Sequence, residues 1–390
     1  MEHTGIDMSN TKSLKKVPVL IAGFIGMAFF GVAFLIIGSV LPSLTKQFSL
    51  DPVTAATIAG LLPFGVLAGS LIFGPIIDRF GYKAIMIIAA AITIVGLEIL
   101  AFGQKIGDIR FAIFLIGLGG GSLNGLTNAL VSDISSDKDR ASNLSILGIF
   151  YTLGALSIPL LFTTLLKTMS YTTIIAVAGA ILSIAVIFYL FVRFPEAKCK
   201  QGFPIEQFIL LAKEPVMLIL SFTLFFQSCM EGLSNNWIPT YMENVKDIAS
   251  DKAMLTLTFL VSGIAVGRII MGIILRSVST YPVLITGMIF IISGISMVYM
   301  ASSFSIIAAS IFVVGIGIAA AFPIVLGEVG ERYKEFSGTA FSFALVIALI
   351  GNILINLLIG FFNLKSLPIL MISGAIMVII LFTVNYRLRA

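Results

Sequence analysis

The polar residues with the clearest chemical pattern lie in a long apolar run near residue 230. Six of them fall on or beside one face of a predicted helix: Gln227, Glu231, Ser234, Asn235, Asn236 and Trp237. Amide and carboxyl groups supply hydrogen-bond donors and acceptors, and an indole supplies a flat surface on which a sugar ring can stack. The pattern predicts a site for a polyhydroxylated solute. The alternative is that these groups bond to neighbouring helices and hold them together.

Glu231 has a second predicted role. A carboxylate inside a membrane-spanning helix is costly, and it marks a functional site by default. Such a group can take up a proton on one side of a membrane and release it on the other. We therefore expect Glu231 both to bind solute and to couple its movement to protons.

Asparagine pairs extend the polar pattern to two other apolar runs. Asn124 and Asn128 lie one helical turn apart, and Asn352 and Asn356 repeat that spacing. These amides are expected either to bind solute or to bridge helices, and bridging applies at least as well to the second pair.

Four further residues within the predicted spans are considered for the site. Phe322 and Pro323 are expected to shape a cavity or to kink their helix. Glu98 and Arg268 are the other charges within predicted spans, and both are expected to snorkel towards a membrane surface. The predicted solute-binding set is Gln227, Glu231, Asn235, Asn236, Trp237, Asn124, Asn128, Phe322 and Asn352.

The elements that carry these residues are defined by composition. Hydrophobic residues make up 58% of the chain and charged residues 11%, and the mean hydropathy is +1.11. A soluble domain carries roughly a quarter charged residues. Continuous apolar runs long enough to cross a bilayer predict an all-α membrane protein of twelve transmembrane helices, and not a β-barrel. The runs fall near residues 18–43, 54–77, 84–103, 109–132, 142–166, 171–192, 214–242, 253–275, 281–301, 304–328, 337–361 and 366–386.

The positions of the basic residues predict the orientation of the chain. Twelve spans put both termini on one side, and most of the 24 Lys and Arg residues lie on that side. Both termini are therefore predicted to be cytoplasmic. The protein itself is predicted to lie in the cytoplasmic (inner) membrane. The predicted divisions are a tail at 1–17, a six-helix bundle at 18–192, a linker at 193–213, a second bundle at 214–386 and a tail at 387–390.

The two sets of six runs resemble copies of each other. Landmarks recur at an offset of 198 or 197 residues: Gly74 and Asp78 as Gly272 and Arg276, Gly117, Gly119 and Asp133 as Gly315, Gly317 and Glu331, and Leu41-Pro42-Ser43 as Ile238-Pro239-Thr240. This predicts an internal duplication, with two six-helix halves facing each other across a pseudo-two-fold axis. A cavity at their interface near the membrane midplane is how one class of secondary transporters works.

The sharpest local motif follows the second run, on the predicted cytoplasmic side. It reads Gly74-Pro75-Ile76-Ile77-Asp78-Arg79-Phe80-Gly81-Tyr82-Lys83 and matches the G-x-x-x-D-R-x-G-x-K/R loop of the major facilitator superfamily. Glycine permits close helix approach at one end of the motif and a tight turn at the other. The resemblance implies a conformational role for Gly74, Asp78, Arg79, Gly81, Lys83 and Asp133.

Within that superfamily the chain looks most like the fucose/galactose/proton symporter group of sugar permeases. The resemblance is carried by the stretch from Gly117 to Asn128 in the fourth helix and from Gly315 to Pro323 in the tenth. It implies a sugar substrate, coupling to protons, alternating access and a monomer. Those permeases use acidic residues in helices one and four as the proton site, and helix one here has none. By the duplication, the helix-one position that matches Glu231 is Phe34.

Other classes of protein are disfavoured. Walker-type loops, metal-ligand spacings and nucleophilic triads are not evident, so neither a cofactor nor a metal is expected, and basic residues scattered singly disfavour a nucleic-acid partner. An exporter of drugs or metabolites is the runner-up, although the fourth helix lacks the buried arginine of drug exporters. A transport-dead solute sensor and a membrane-embedded enzyme are the remaining alternatives. An enzyme would need paired carboxylates or histidines, and His3 is the single histidine.

Overall fold

The computed structural model of the chain describes residues 16–135, 137–195, 209–275, 277–333 and 337–389, without the side chains at 72–80, 137–142, 145, 337–338 and 389. Within these ranges there is no strand, and twelve helices are long and apolar enough to cross a membrane. They are α1 Lys16–Phe48, α2 Pro52–Leu71, α3 Gly81–Phe102, α4 Ile106–Ile134, α5 Ile146–Leu165, α6 Tyr171–Phe191, α7 Pro215–Asn244, α8 Ser250–Ile274, α9 Thr280–Met300, α10 Phe304–Arg332, α11 Thr339–Leu358 and α12 Leu364–Leu388. The predicted all-α fold with twelve spans is confirmed.

Some sequence predictions fall outside the described residues. They concern the first fifteen residues, with His3, most of the linker, with Cys199, and the side chains of Asp78 and Arg79. The roles assigned to these residues stay predictions.

Local chemistry fixes where the second and third helices begin. The Asp51 carboxylate accepts hydrogen bonds from the backbone amides of Val53 and Thr54, each at 3.0 Å, and so caps α2. A further bond from the Thr54 hydroxyl, together with these amides, holds the pKa of Asp51 below its usual range. Gly81, where α3 begins, has a φ of 73°, a conformation that glycine adopts readily.

Helices α1–α6 and α7–α12 pack in the same order. α1 lies on α5 as α7 lies on α11, and α3 lies on α6 as α9 lies on α12. α4 contacts α2 and α3 as α10 contacts α8 and α9. Between the halves, α1 meets α7, and α2 meets α11 as α5 meets α8. This correspondence is what a pseudo-two-fold axis produces.

Glycine contacts reproduce the duplication atom by atom. A Cβ added to Gly117 would lie 2.4 Å from the carbonyl oxygen of Leu62, and one added to Gly315 would lie 2.2 Å from that of Leu260. Both members of the second pair lie 198 residues after those of the first. The α2–α4 and α8–α10 contacts are therefore the same backbone approach, and each requires glycine. Gly272, the predicted counterpart of Gly74, has no atom within 4 Å of an added Cβ, so close packing is not its role here.

The two halves are closed against each other on the side away from the termini. Where α1 crosses α7, a Cβ on Gly38 would lie 1.7 Å from the carbonyl oxygen of Asn235. Towards the membrane surface on that side, α5 approaches α8 with the hydroxyls of Thr163 and Thr258 3.5 Å apart.

Ion pairs close the same side at the helix ends. Lys46 Nζ lies 2.7 Å from a carboxylate oxygen of Glu243, whose side chain is only 7% exposed. Lys167 Nζ lies 2.8 Å from a carboxylate oxygen of Asp251. Both pairs join one half to the other.

Candidate solute site between the two halves

A small cavity of about 10 Å³ lies between the halves at the level of Glu231 and the residues one turn beyond it. The first half contributes an apolar wall and the second half contributes amides. The lining residues are Phe34, Leu62, Pro63, Gly232, Asn235, Asn236 and Asn352. Three of the predicted binding residues, Asn235, Asn236 and Asn352, are thus brought together in one cavity.

Aromatic rings form the wall of the first half beside this cavity. The ring centroids of Phe30 and Phe34 are 5.5 Å apart, and that of Tyr151 lies 5.4 Å from Phe30 and 6.5 Å from Phe34. Sequence reasoning selected neither Phe30 nor Tyr151. The signal was the one-turn spacing of Phe30 and Phe34, which is inconspicuous in a chain with 32 phenylalanines.

Glu231 is half-buried at the centre of α7, facing this wall. No residue that the structure describes hydrogen-bonds to its carboxylate or pairs with it. Arg268 of α8 is the nearby cation, and the central carbon of its guanidinium lies 5.2 Å from the centroid of the Tyr151 ring. A carboxylate without a fixed partner is free to bind a proton or a solute.

Polar groups at and beside this cavity also hold α7 to α11. Asn356 Oδ1 accepts hydrogen bonds from Asn236 Nδ2 at 3.0 Å and from Trp237 Nε1 at 2.8 Å. Its own Nδ2 donates to the side-chain oxygen of Asn352 at 2.8 Å. Trp237 is 4% exposed and does not line the cavity. This geometry favours the bridging alternative for Trp237 over the predicted stacking surface.

Gln227 also contacts a helix and not the cavity. It is fully buried, and its Nε2 donates to the carbonyl oxygen of Ile318 at 2.9 Å. There α10 is interrupted, because its helical segments end at Ile318 and resume at Ala321. Pro323 follows at once, and its missing N–H explains the interruption. Phe322 is half-buried beside it, outside the cavity lining.

The remaining predicted residues lie elsewhere. Asn128 is exposed, and its Nδ2 donates to the backbone and side-chain oxygens of Asn124 at 2.8 and 3.2 Å. On the terminus side, the Tyr82 hydroxyl donates to Asp133 at 2.8 Å and Lys83 donates to the Leu190 carbonyl at 2.7 Å. The motif loop is thereby held to α4 and α6. None of the residues in these contacts lines the cavity.

We expect Asn356→Leu to lower the free energy of unfolding by about 1–3 kcal/mol, because it leaves buried donors of Asn236 and Trp237 unsatisfied. Thermal unfolding in detergent, followed by the fluorescence of Trp237, the single tryptophan, measures the change. Asn128→Leu is the matched control, since Asn128 is exposed and bonds only to Asn124. Equal melting temperatures for the two variants would contradict a structural role for the network.

Two matched sets of six helices around a polar central cavity define a class of protein, the helical membrane transporters with duplicated halves. The chain belongs to the Major Facilitator Superfamily, whose sequence profile matches residues 23–355. It is a multi-pass membrane transporter of that superfamily and not an enzyme.

Individual relatives agree with this assignment. The chain is 25% identical over 393 residues to the glucose/mannose transporter GlcP of Bacillus subtilis (strain 168), covering 93% of this chain and 94% of that one. The structure of a variant of the nucleoside transporter NupG has a TM-score of 0.81 at 14% identity, covering 95% of this chain and 99% of that chain. A D-xylose-proton symporter has a TM-score of 0.76 at 15% identity, covering 93% and 97%. At these identities the two structures show the fold alone.

Proposed function

We propose that this chain is a proton-coupled symporter of hexoses, of the class to which glucose and mannose belong. It carries them across the cytoplasmic membrane by alternating access, with both termini on the cytoplasmic side. The full-length similarity to a glucose/mannose transporter supports the substrate class.

The observation that carries this proposal is the pairing of neutral amides with aromatic rings across one cavity. Asn235 Oδ1 is buried and has no partner among the described residues, so a solute hydroxyl can donate to it. Phe34, on the opposite wall, can pack against the C–H face of a sugar ring.

The size of the cavity indicates which step of the cycle the structure represents. Its volume of about 10 Å³ is room for about one water molecule, far below the roughly 300–1,000 Å³ of small-molecule clefts. The halves must therefore separate for a hexose to enter or leave. The α1–α7 crossing closes the side away from the termini. The halves therefore separate on the terminus side to release the hexose.

Glu231 is the proposed proton site. An ionised carboxylate at the centre of a membrane helix costs at least about 2.5–3.5 kcal/mol, and protonation removes that charge. We propose that the loaded carrier reorients with Glu231 protonated and that the proton leaves on the cytoplasmic side. Gln227, Asn124, Asn128, Phe322 and Trp237 stay candidates for solute contact in other states of the cycle.

The halves at 18–192 and 214–386 are the proposed moving bodies, within a monomer. The motif residues Gly74, Asp78, Arg79, Gly81 and Lys83, with Asp133, are proposed to control their approach on the cytoplasmic side. The bonds from Tyr82 to Asp133 and from Lys83 to Leu190 support a mechanical role for this loop.

Uptake by purified protein in proteoliposomes tests the proposal. Labelled glucose, mannose, xylose, a nucleoside and benzoate are offered with and without an inwardly directed proton gradient, and with a protonophore. We expect hexoses to accumulate with the gradient and only to equilibrate without it. Transport of the nucleoside or of benzoate, with no hexose transported, would overturn the substrate class.

A further inference from the structure

The hydrogen bonds of Asn356 fix which atom of its side chain points in which direction. Its oxygen lies 2.8 Å from Trp237 Nε1, and because an indole N–H can only donate, the atom that faces it must be the oxygen. Its nitrogen lies 2.8 Å from the backbone carbonyl oxygen of Asn352, which can only accept. These two contacts leave the fully buried Asn356 amide a single orientation.

The orientation of Asn356 determines those of two other amides. Asn236 must turn its nitrogen towards the Asn356 oxygen, at 3.0 Å, and Asn352 must turn its side-chain oxygen towards the Asn356 nitrogen, at 2.8 Å. Both Asn236 and Asn352 line the cavity, whereas Asn356 does not. The Asn236 oxygen and the Asn352 nitrogen are the atoms left over. Neither bonds to a residue that the structure describes.

Gly232 makes room for the bond between Asn352 and Asn356. A Cβ added to Gly232 would lie 2.7 Å from the side-chain oxygen of Asn352 and 2.9 Å from the side-chain nitrogen of Asn356. Both distances are shorter than an ordinary van der Waals contact. A side chain at position 232 would therefore displace the two amides from each other.

We infer that Asn356, held by Trp237, sets the hydrogen-bond polarity of the solute site, so that Asn236 presents its oxygen to the solute and Asn352 presents its nitrogen. Asn356 is thus a positioning residue that determines specificity. The solute must offer a donor to Asn236 and an acceptor to Asn352, and hydroxyl groups can be either. A solute with donors alone or acceptors alone would leave one of the two amides unpaired. This inference rests on the proposed function and adds to it the direction of each hydrogen bond.

Singly substituted glucose analogues test the polarity, because a fluoro group can accept a hydrogen bond but not donate one, and a deoxy position does neither. The analogues compete with labelled glucose for counterflow in proteoliposomes. We expect one ring position at which the fluoro analogue competes about two- to tenfold better than the deoxy analogue, the effect of one hydrogen bond. At another position, where the hydroxyl donates to Asn236, both analogues should compete equally poorly. Asn352→Leu should remove the advantage of the fluoro analogue.

Variants that keep both cavity amides test the positioning role. Asn356→Leu and Gly232→Ala should each reduce the fluoro advantage, because the Asn352 nitrogen is then no longer held towards the cavity. Gly327→Ala is the control and should keep the advantage, since an added Cβ there meets no atom within 4 Å. A merely structural role would lower counterflow with all analogues alike and leave their ratio unchanged. An unchanged ratio in Asn356→Leu or Gly232→Ala would overturn the inference, and so would the lack of any fluoro advantage in the unmodified protein.

A spectroscopic experiment needs no solute and so separates this inference from the proposed function. The resonance Raman signal of the indole N–H is recorded in detergent, where Trp237 is the single tryptophan. We expect Asn356→Leu to give the signal of an N–H without a hydrogen bond, and Asn128→Leu, at an asparagine pair of the same spacing that does not bond to Trp237, to give the unmodified signal. The same signal in Asn356→Leu and the unmodified protein would overturn the inference. If the signal shifts as expected while no hexose is transported, the polarity stands and the proposed substrate class falls.

Discussion

Glu231→Gln is expected to abolish accumulation of hexose against its gradient while leaving counterflow nearly unchanged. One proton per solute and a gradient of one pH unit allow about tenfold accumulation, because tenfold corresponds to about 1.4 kcal/mol. The amide keeps the shape of the carboxyl group and can donate and accept hydrogen bonds to a solute, but it cannot take up or release a proton. Uptake into proteoliposomes, with and without the gradient, measures both quantities.

Glu98→Gln is the matched control for this variant. Glu98 is also a carboxylate inside a span, but it lies on α3 against Gly179 of α6, away from the central cavity. The Glu98→Gln variant should accumulate hexose as the unmodified protein does. If Glu231→Gln still concentrates hexose tenfold, Glu231 is not the proton site.

Gly38→Ala is expected to prevent closure of the side away from the termini. The added methyl carbon would lie 1.7 Å from the carbonyl oxygen of Asn235, so α1 and α7 must move apart. A backbone carbonyl cannot move aside as a flexible side chain can. Overpacking of this kind typically raises the free energy of the closed state by about 1–3 kcal/mol. We expect counterflow to fall by roughly tenfold to a hundredfold on that scale.

Disulfide formation between Thr163→Cys and Thr258→Cys reports the closure directly. These hydroxyls are 3.5 Å apart across the halves, so the cysteine pair should cross-link readily when that side is closed. Gly38→Ala should reduce the yield of the cross-link. Gly148→Ala is the control, because an added Cβ there meets no atom within 4 Å. Equal yields in both backgrounds would mean that the α1–α7 crossing does not govern closure.

Sequence alone was sufficient for the architecture. Continuous apolar runs defined twelve helices, and the offset between Gly117 and Gly315 identified the duplication that the structure reproduces at Leu62 and Leu260. The same offset, less one residue, matched Phe34 to Glu231, and Phe34 lines the cavity opposite α7. These results depend on hydropathy and spacing, which are local properties of the chain.

The sequence could not show which α7 residues line the cavity and which bond to neighbouring helices. Helical spacing gives the direction of a side chain around its axis, but not which helix lies in that direction. The residues from Gly232 to Met242 are all buried, so no exposed face of α7 singles out the cavity. Asn235 reaches the cavity, whereas Gln227 and Trp237 reach α10 and α11.

Arg268 illustrates the same limit for depth in the membrane. Its distance from the end of α8 predicted snorkelling, because sequence gives the depth of a residue and not its neighbours. The buried positions before it, Val261 and Ile264, set its direction towards the other half. Tyr151, three helices earlier in the chain, could be identified as its partner only from the fold.

Counterflow of labelled glucose in proteoliposomes is the measurement that tests the central site most directly, because it requires alternating access to one solute site and no proton gradient. The unmodified protein should show a transient overshoot of label, and Asn235→Leu, which removes the unpartnered amide oxygen in the cavity, should abolish it. No overshoot with glucose or mannose, or an undiminished overshoot in Asn235→Leu, would contradict a hexose site between the two halves.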